Sequence, residues 1–181
     1  MFKTIAIIAA VLVLLFVVTV LVLASGKPDT FRVQRQASIQ APPEKIFPLI
    51  NDYKNWGAWS PWEKKDPAMK RSFSGPAAGK GAAYAWDSKE VGVGDMLITE
   101  SQPSSLVKID LNFSKPFEAH NKVVFSIQPQ AGGSSTVSWE MAGPAPLLSK
   151  VMQVFFSMDK MVGKDFEAGL ADLKAAAEKQ G

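Results

Sequence analysis

Three kinds of hydrophobic patterning follow one another along the chain. From Ile5 to Ala24 the sequence IAIIAAVLVLLFVVTVLVLA is apolar on every side, with one threonine and no charge. As a helix rising about 1.5 Å per residue, this stretch reaches roughly 30 Å, the thickness of a bilayer core. Ser25-Gly26-Lys27-Pro28-Asp29 is a short polar run of breaker residues, after which a period of two takes over. Phe31–Ile39 alternates Phe31, Val33 and Arg35 against Arg32, Gln34 and Gln36, as a strand does. Pro42 and Pro43 then open a short helix carrying Ile46, Phe47, Leu49 and Ile50, with Pro48 as a kinking or truncating element inside it. Further strands are expected at Met69–Phe73, Ala82–Trp86, Asp95–Ser101, Leu106–Phe113, Lys122–Gln128 and Thr136–Met141, separated by Gly, Pro and Ser turns. The alternation is cleanest where Val107, Ile109, Leu111 and Phe113 interleave with Lys108, Asp110 and Asn112. From Leu148 to Ala177 the period lengthens to three or four, through Met152, Phe155, Met158, Val162, Phe166, Leu170 and Leu173. That is a long amphipathic helix whose start is set by Pro144 and Pro146, with Gly163 or Gly169 as points of bending.

These elements predict an α+β fold in which about seven antiparallel strands form a curved sheet wrapped on one long C-terminal helix, preceded by one N-terminal transmembrane helix. A helix about 10 Å wide cannot fill the concave face of so broad a sheet, so a cavity is expected between them. The chain divides into an apolar segment at residues 1–24, a linker at 25–30 and a domain at 31–181.

Composition sharpens this picture. The chain is 47% hydrophobic, but the N-terminal segment inflates that figure and leaves an ordinary domain behind it. Lys and Arg number 20 against 17 Asp and Glu, and one of the 20 is Lys3, so no clustered basic face for nucleic acid is expected. With no cysteine and a single histidine, His120, disulfides, thiol catalysis, Cys-ligated metals and multi-histidine metal sites are excluded within one chain, and no cofactor is expected. Signal-peptide cores usually run to about 7–15 residues, which favours an uncleaved anchor over a cleaved leader for residues 5–24. The expected location is therefore the cell membrane, as a single-pass protein with a cytoplasmic N-terminus and an exported domain; cleavage would make it secreted or periplasmic.

Several strings resemble the START-like, or SRPBCC, superfamily, the helix-grip fold of plant pollen allergens, lipid-transfer domains and bacterial polyketide cyclase/dehydrase-like proteins. They are Ala41-Pro42-Pro43-Glu44-Lys45-Ile46-Phe47 before Ile50-Asn51-Asp52-Tyr53, then Trp56 and Trp59-Ser60-Pro61-Trp62. Gly92–Glu100 is similar to that group's central strand, and Gly163–Lys174 to its closing helix. The resemblance covers roughly residues 31–178 and implies a shared cavity without a shared catalytic set.

The candidate cavity wall comprises Trp56, Trp59 and Trp62, spaced by three, with Tyr84, Trp86, Met96, Ile98, Phe113, Phe125, Trp139, Met152 and Phe155 on strand and helix faces read as inward. Two residues are candidates for proton transfer. Glu100 is in phase with Met96 and Ile98, although Leu97 and Thr99 could equally form the inner face, and His120 falls in an expected loop. Three functions fit: a membrane-anchored domain binding a hydrophobic small molecule or lipid, a cyclase or dehydratase acting on an apolar substrate, or an envelope interaction module whose pocket is filled by its own aromatics. A pocket smaller than roughly 300 Å³ would favour the last.

Overall fold

In the computed structural model, which describes residues 2–179, the alternating segments pair into one seven-stranded antiparallel sheet. Residues 1, 180 and 181, at the ends of the expected anchor and domain, lie outside the described residues. The strands are β1 (Thr30–Ile39), β2 (Lys70–Ser74), β3 (Ala83–Ser88), β4 (Gly92–Gln102), β5 (Leu106–Lys115), β6 (Ala119–Pro129) and β7 (Ser135–Pro144). Their order, β1-β7-β6-β5-β4-β3-β2, closes the first strand onto the last and leaves every other pair a sequential neighbour. The register puts apolar positions abreast: Val107 faces Phe125, which faces Trp139, while Ile109 faces Val123, which faces Met141. A slip of one residue would turn all of them to solvent, so burial of one face specifies the pairing.

The helices cover that face unequally. Helix α1 (Phe2–Ser25) is long and apolar enough to cross a membrane, and its side chains are largely exposed. Helix α2 (Pro43–Asn51) runs through Pro48, followed by a 3₁₀ turn at Tyr53–Ala58 and a short α3 (Pro61–Lys65). The single C-terminal helix expected from the periodicity is two helices, α4 (Leu147–Phe155) and α5 (Met158–Glu178). The break falls at Phe156 and Ser157, both extended, and not at either glycine: the Ser157 hydroxyl accepts from the backbone N–H of Lys160 and caps a new helix. Gly163 and Gly169 instead permit close approach. A Cβ at Gly163 would lie 2.0 Å from the Arg35 guanidinium, and one at Gly169 would lie 2.7 Å from the Trp139 ring. Arg35 in β1 donates to Asp159 (2.8 Å) and Glu167 (2.6 Å), tying α5 over the β1 edge of the sheet while Phe166, Leu170 and Leu173 are buried beneath it.

The last four carbonyls of a helix have no partner within it. In α2 all four find one: Pro48 accepts from Asn55 Nδ2 (3.0 Å), Leu49 from Trp59 Nε1 (2.8 Å), Ile50 from Trp56 Nε1 (2.9 Å) and Asn51 from the Gly79 N–H (3.1 Å). Two tryptophans are thus locked in place by the helix end that precedes them. Trp59 and Phe125 are both fully buried, with ring centroids 5.9 Å apart. Phe125→Ala is expected to cost about 3–5 kcal/mol through the cavity it leaves. Trp59→Phe, which strands the Leu49 carbonyl, should cost about 1–3 kcal/mol. Urea unfolding of both variants measures these costs, and a negligible change for Trp59→Phe would remove the capping role.

Candidate functional site

The interior between sheet and helices is filled at one end and open at the other. In the filled part, Trp139 stacks on Phe166 at 4.1 Å and meets Phe125 at 4.9 Å and Trp59 at 5.4 Å. Beside this block lies a cavity of about 530 Å³. The sheet lines it with Tyr84, Trp86, Met96, Leu111, Phe113, Trp139 and Met141, the small helical elements with Trp56 and Trp62, and the C-terminal helices with Leu148, Met152, Met158, Val162 and Phe166. Tyr84 stacks on Trp86 at 5.8 Å, and Trp86 meets Phe113 edge-on at 5.5 Å. Gly94 in β4 makes room for the Trp86 ring, because a Cβ there would lie 2.6 Å from it. The wall is apolar almost throughout, and its exposed members Phe117 and Leu148 mark the mouth.

Of the residues expected at the wall, Trp56, Trp62, Tyr84, Trp86, Met96, Phe113, Trp139 and Met152 line the cavity. Four do not. Trp59, Ile98 and Phe125 are fully buried in packed core, where their rings and branches are covered by other side chains. Phe155 faces away from the cavity and meets Phe16 of α1, at 6.4 Å between centroids. Glu100 also lies outside. Thr99 and Glu100 together oppose Lys108, and this β-bulge reverses the alternation, so that Ser101 instead of Glu100 follows Ile98 on the inner face. Glu100 accepts from Gln102 and pairs with Lys108 at 2.7 Å; hydrogen bonds from Lys108 and Gln102 hold its carboxyl below the usual glutamate range. That environment is opposite to the desolvated acid required for proton transfer. His120 is on β6 and not in a loop; it lines the rim with its side chain 66% exposed, bonded to Asn112 (2.9 Å) and Glu118 (3.2 Å).

Sequence reasoning missed the polar group that does reach the wall. Glu63 of α3, with its side chain only 11% exposed, accepts from the Tyr84 hydroxyl (2.5 Å) and from Arg71 Nε of β2 (2.7 Å), and lines the cavity. Burial, reinforced by the hydrogen bond to the Glu63 carboxylate and by its charge, pushes the Tyr84 hydroxyl far above the ordinary tyrosine value, so Tyr84 remains a neutral donor at all physiological pH values. The only sequence signal for Glu63 is its position three residues after Ser60, the spacing of a helix cap, yet the Ser60 side chain makes no cap bond. Among the described residues no group of three or more His, Asp or Glu is arranged to hold a metal ion.

Residues 30–178 match the family described as polyketide cyclase / dehydrase and lipid transport. The chain belongs to this family. No curated protein matches the sequence significantly. Solved structures of the same fold include a protein from Thermobifida fusca (16% identical, TM-score 0.61, covering 82% of this chain and 93% of that one). The Aha1 dimer from Colwellia psychrerythraea is 18% identical with a TM-score of 0.55, covering 82% and 96%. A point mutant of norcoclaurine synthase from Thalictrum flavum, solved with a transition-state analogue, is 11% identical with a TM-score of 0.57, covering 84% and 97%. At these identities the likeness shows the fold alone, and it bears out the START-like, helix-grip reading and the seven-stranded sheet closed by a C-terminal helix. What this polyketide cyclase/dehydrase-like domain binds must come from its own wall.

Glu63→Ala leaves the Tyr84 hydroxyl and the partly buried Arg71 without their shared partner, with an expected loss of about 1–3 kcal/mol. Tyr84→Phe should cost about 1 kcal/mol. Because both act on one cluster, the double variant should lose less than the sum in chemical denaturation; strict additivity would show that Glu63 and Tyr84 are not coupled.

Proposed function

We propose that the chain is a membrane-tethered binding domain for a hydrophobic small molecule or lipid, held in the cavity between the sheet and the C-terminal helices. The observation that carries this reading is the cavity's volume of about 530 Å³ behind an almost wholly apolar wall. Ligand pockets run to about 300–1,000 Å³, so the space exceeds what a module packed with its own aromatics would leave. A ligand burying on the order of 300 Å² of apolar surface would gain roughly 7 kcal/mol before the costs of association. Orientation would come from the few polar groups at the wall, Ser60 and the Glu63–Tyr84 pair inside and Asn121 and His120 towards the rim. Binding fits this arrangement better than acid–base catalysis, since both Glu63 oxygens are already occupied and Glu100 is outside the cavity.

The tether is α1. Its composition suits a single-pass anchor, and an anchor would keep the cavity close to lipid-soluble ligands at a high effective concentration. The domain would then face the exported side, with the short N-terminus in the cytoplasm.

Leu111 lines the cavity and is only partly buried against the core, so Leu111→Trp can add volume to the cavity with limited strain on the fold. The wild-type protein is expected to bind an uncharged apolar fluorescent probe such as N-phenyl-1-naphthylamine with displacement by long-chain lipids. The variant should bind it at least tenfold more weakly with an unchanged circular dichroism spectrum. Equal binding by both proteins would place the probe elsewhere and defeat the proposal.

A further inference from the structure

The cavity mouth and the end of α1 share one side of the domain, and helix α4 joins them. Asp29, just beyond α1, accepts the Ala145 N–H at its backbone carbonyl (2.7 Å), and its carboxylate pairs with Lys150 of α4. At the other end of α4, Phe155 meets Phe16. Helix α4 therefore runs antiparallel along the last part of α1, from Ser25 back to Phe16. At about 1.5 Å per residue that stretch of α1 is roughly 13 Å long, as is α4 itself, so the two helices lie side by side over the whole of α4. If α1 crosses a bilayer, which is the reading above and on which this inference rests, α4 cannot stay out of the membrane.

The exposed surface of α4 suits that position. Leu147, Leu148, Met152, Phe155 and the following Phe156 are all exposed, Phe155 by 54%, and the turn between β5 and β6 adds Phe117 at 60%. Lys150 is the only charged residue of α4, and it is held by Asp29 at the end where α1 leaves the apolar span. Beside the far tip, Asp159 is neutralised by Arg35, while Lys160 must reach headgroups along its aliphatic stem. These two charges limit the depth: α1 has to tilt, and α4, inclined with it, enters the leaflet with its Phe155 end deepest, on the order of 10 Å below the headgroup boundary. Leu148 and Met152, with Ser149, also line the cavity, so the mouth opens beside this exposed surface.

We propose that α4 and the Phe117 turn form a second membrane contact, seated in the leaflet nearest the domain, which docks the mouth of the cavity directly onto lipid. The partner is the lipid surface itself, and an apolar chain leaving that leaflet reaches the cavity past α4 without crossing water.

The absence of cysteine makes the test direct, because a single introduced thiol is the only one in the chain. Full-length protein carrying Phe155→Cys is labelled with an environment-sensitive fluorophore and reconstituted in phosphatidylcholine vesicles with brominated acyl chains. Phe117→Cys repeats the measurement on a turn whose folding does not depend on α4. Val11→Cys reports on α1, and Gln130→Cys reports on the turn between β6 and β7. Labels at 11, 117 and 155 are expected to lose most of their emission, and the label at 130 none. Quenching at 11 but at neither 155 nor 117 would overturn the leaflet contact and leave the tether standing. No quenching at 11 either would overturn both.

Discussion

One helix cannot cover seven strands, and the rest of this structure follows from how the shortfall is met. Arg35 clamps α5 over the β1 edge through Asp159 and Glu167, and Gly163 lets the helix come within reach of that clamp. The middle of the sheet is covered by side chains that the small helices deliver. The end of α2 is capped by the indole N–H groups of Trp56 and Trp59, so the same hydrogen bonds that satisfy buried carbonyls also place two large rings against Phe125. Over β3, β4 and β5 the rings of Tyr84, Trp86 and Phe113 rise from the sheet itself and line the remaining space without filling it. The cavity is what is left.

Polarity within that space is confined and already spent. Glu63, Tyr84 and Arg71 satisfy one another at the wall, a form in which a carboxylate can be buried without an unpaired charge. The remaining lone pairs of Tyr84 and Glu63 can accept from a ligand hydroxyl, while the rest of the cavity suits apolar surface of loosely defined shape, for which Met96, Met141, Met152 and Met158 are well suited. Membership of the polyketide cyclase/dehydrase and lipid transport family agrees with a cavity, and the assignment of ligand and chemistry depends on the wall itself.

The fold was legible in the sequence because alternation with a clear period states which side of each strand is buried, as it does from Val107 to Phe113 and from Val137 to Met141. Most of the wall was legible for the same reason. What escaped were places where a local device interrupts the period. The bulge at Thr99 and Glu100 reverses the inner face within β4, and no residue type in Leu97–Ser101 announces it. The change from α4 to α5 leaves the helical spacing of apolar residues intact while Ser157 starts a new helix. Trp59 does meet Trp56, at 4.8 Å, but it lies deeper, covered by Phe125 and Trp139, and so belongs to the packed core instead of the cavity wall. Glu63 reads as a surface residue of a charged Trp62-Glu63-Lys64-Lys65 run, and only the approach of β2 and β3 buries it.

If the cavity serves binding, the space beside the tryptophan block holds an apolar molecule. Native mass spectrometry of the full-length protein, purified in mild detergent from the cells that express it, is the decisive measurement. A bound apolar species is expected on the wild-type polypeptide of 19.6 kDa, and its loss when the cavity is filled by substitution. A bare polypeptide in both cases, under conditions gentle enough to keep detergent-resistant lipid complexes intact, would contradict it.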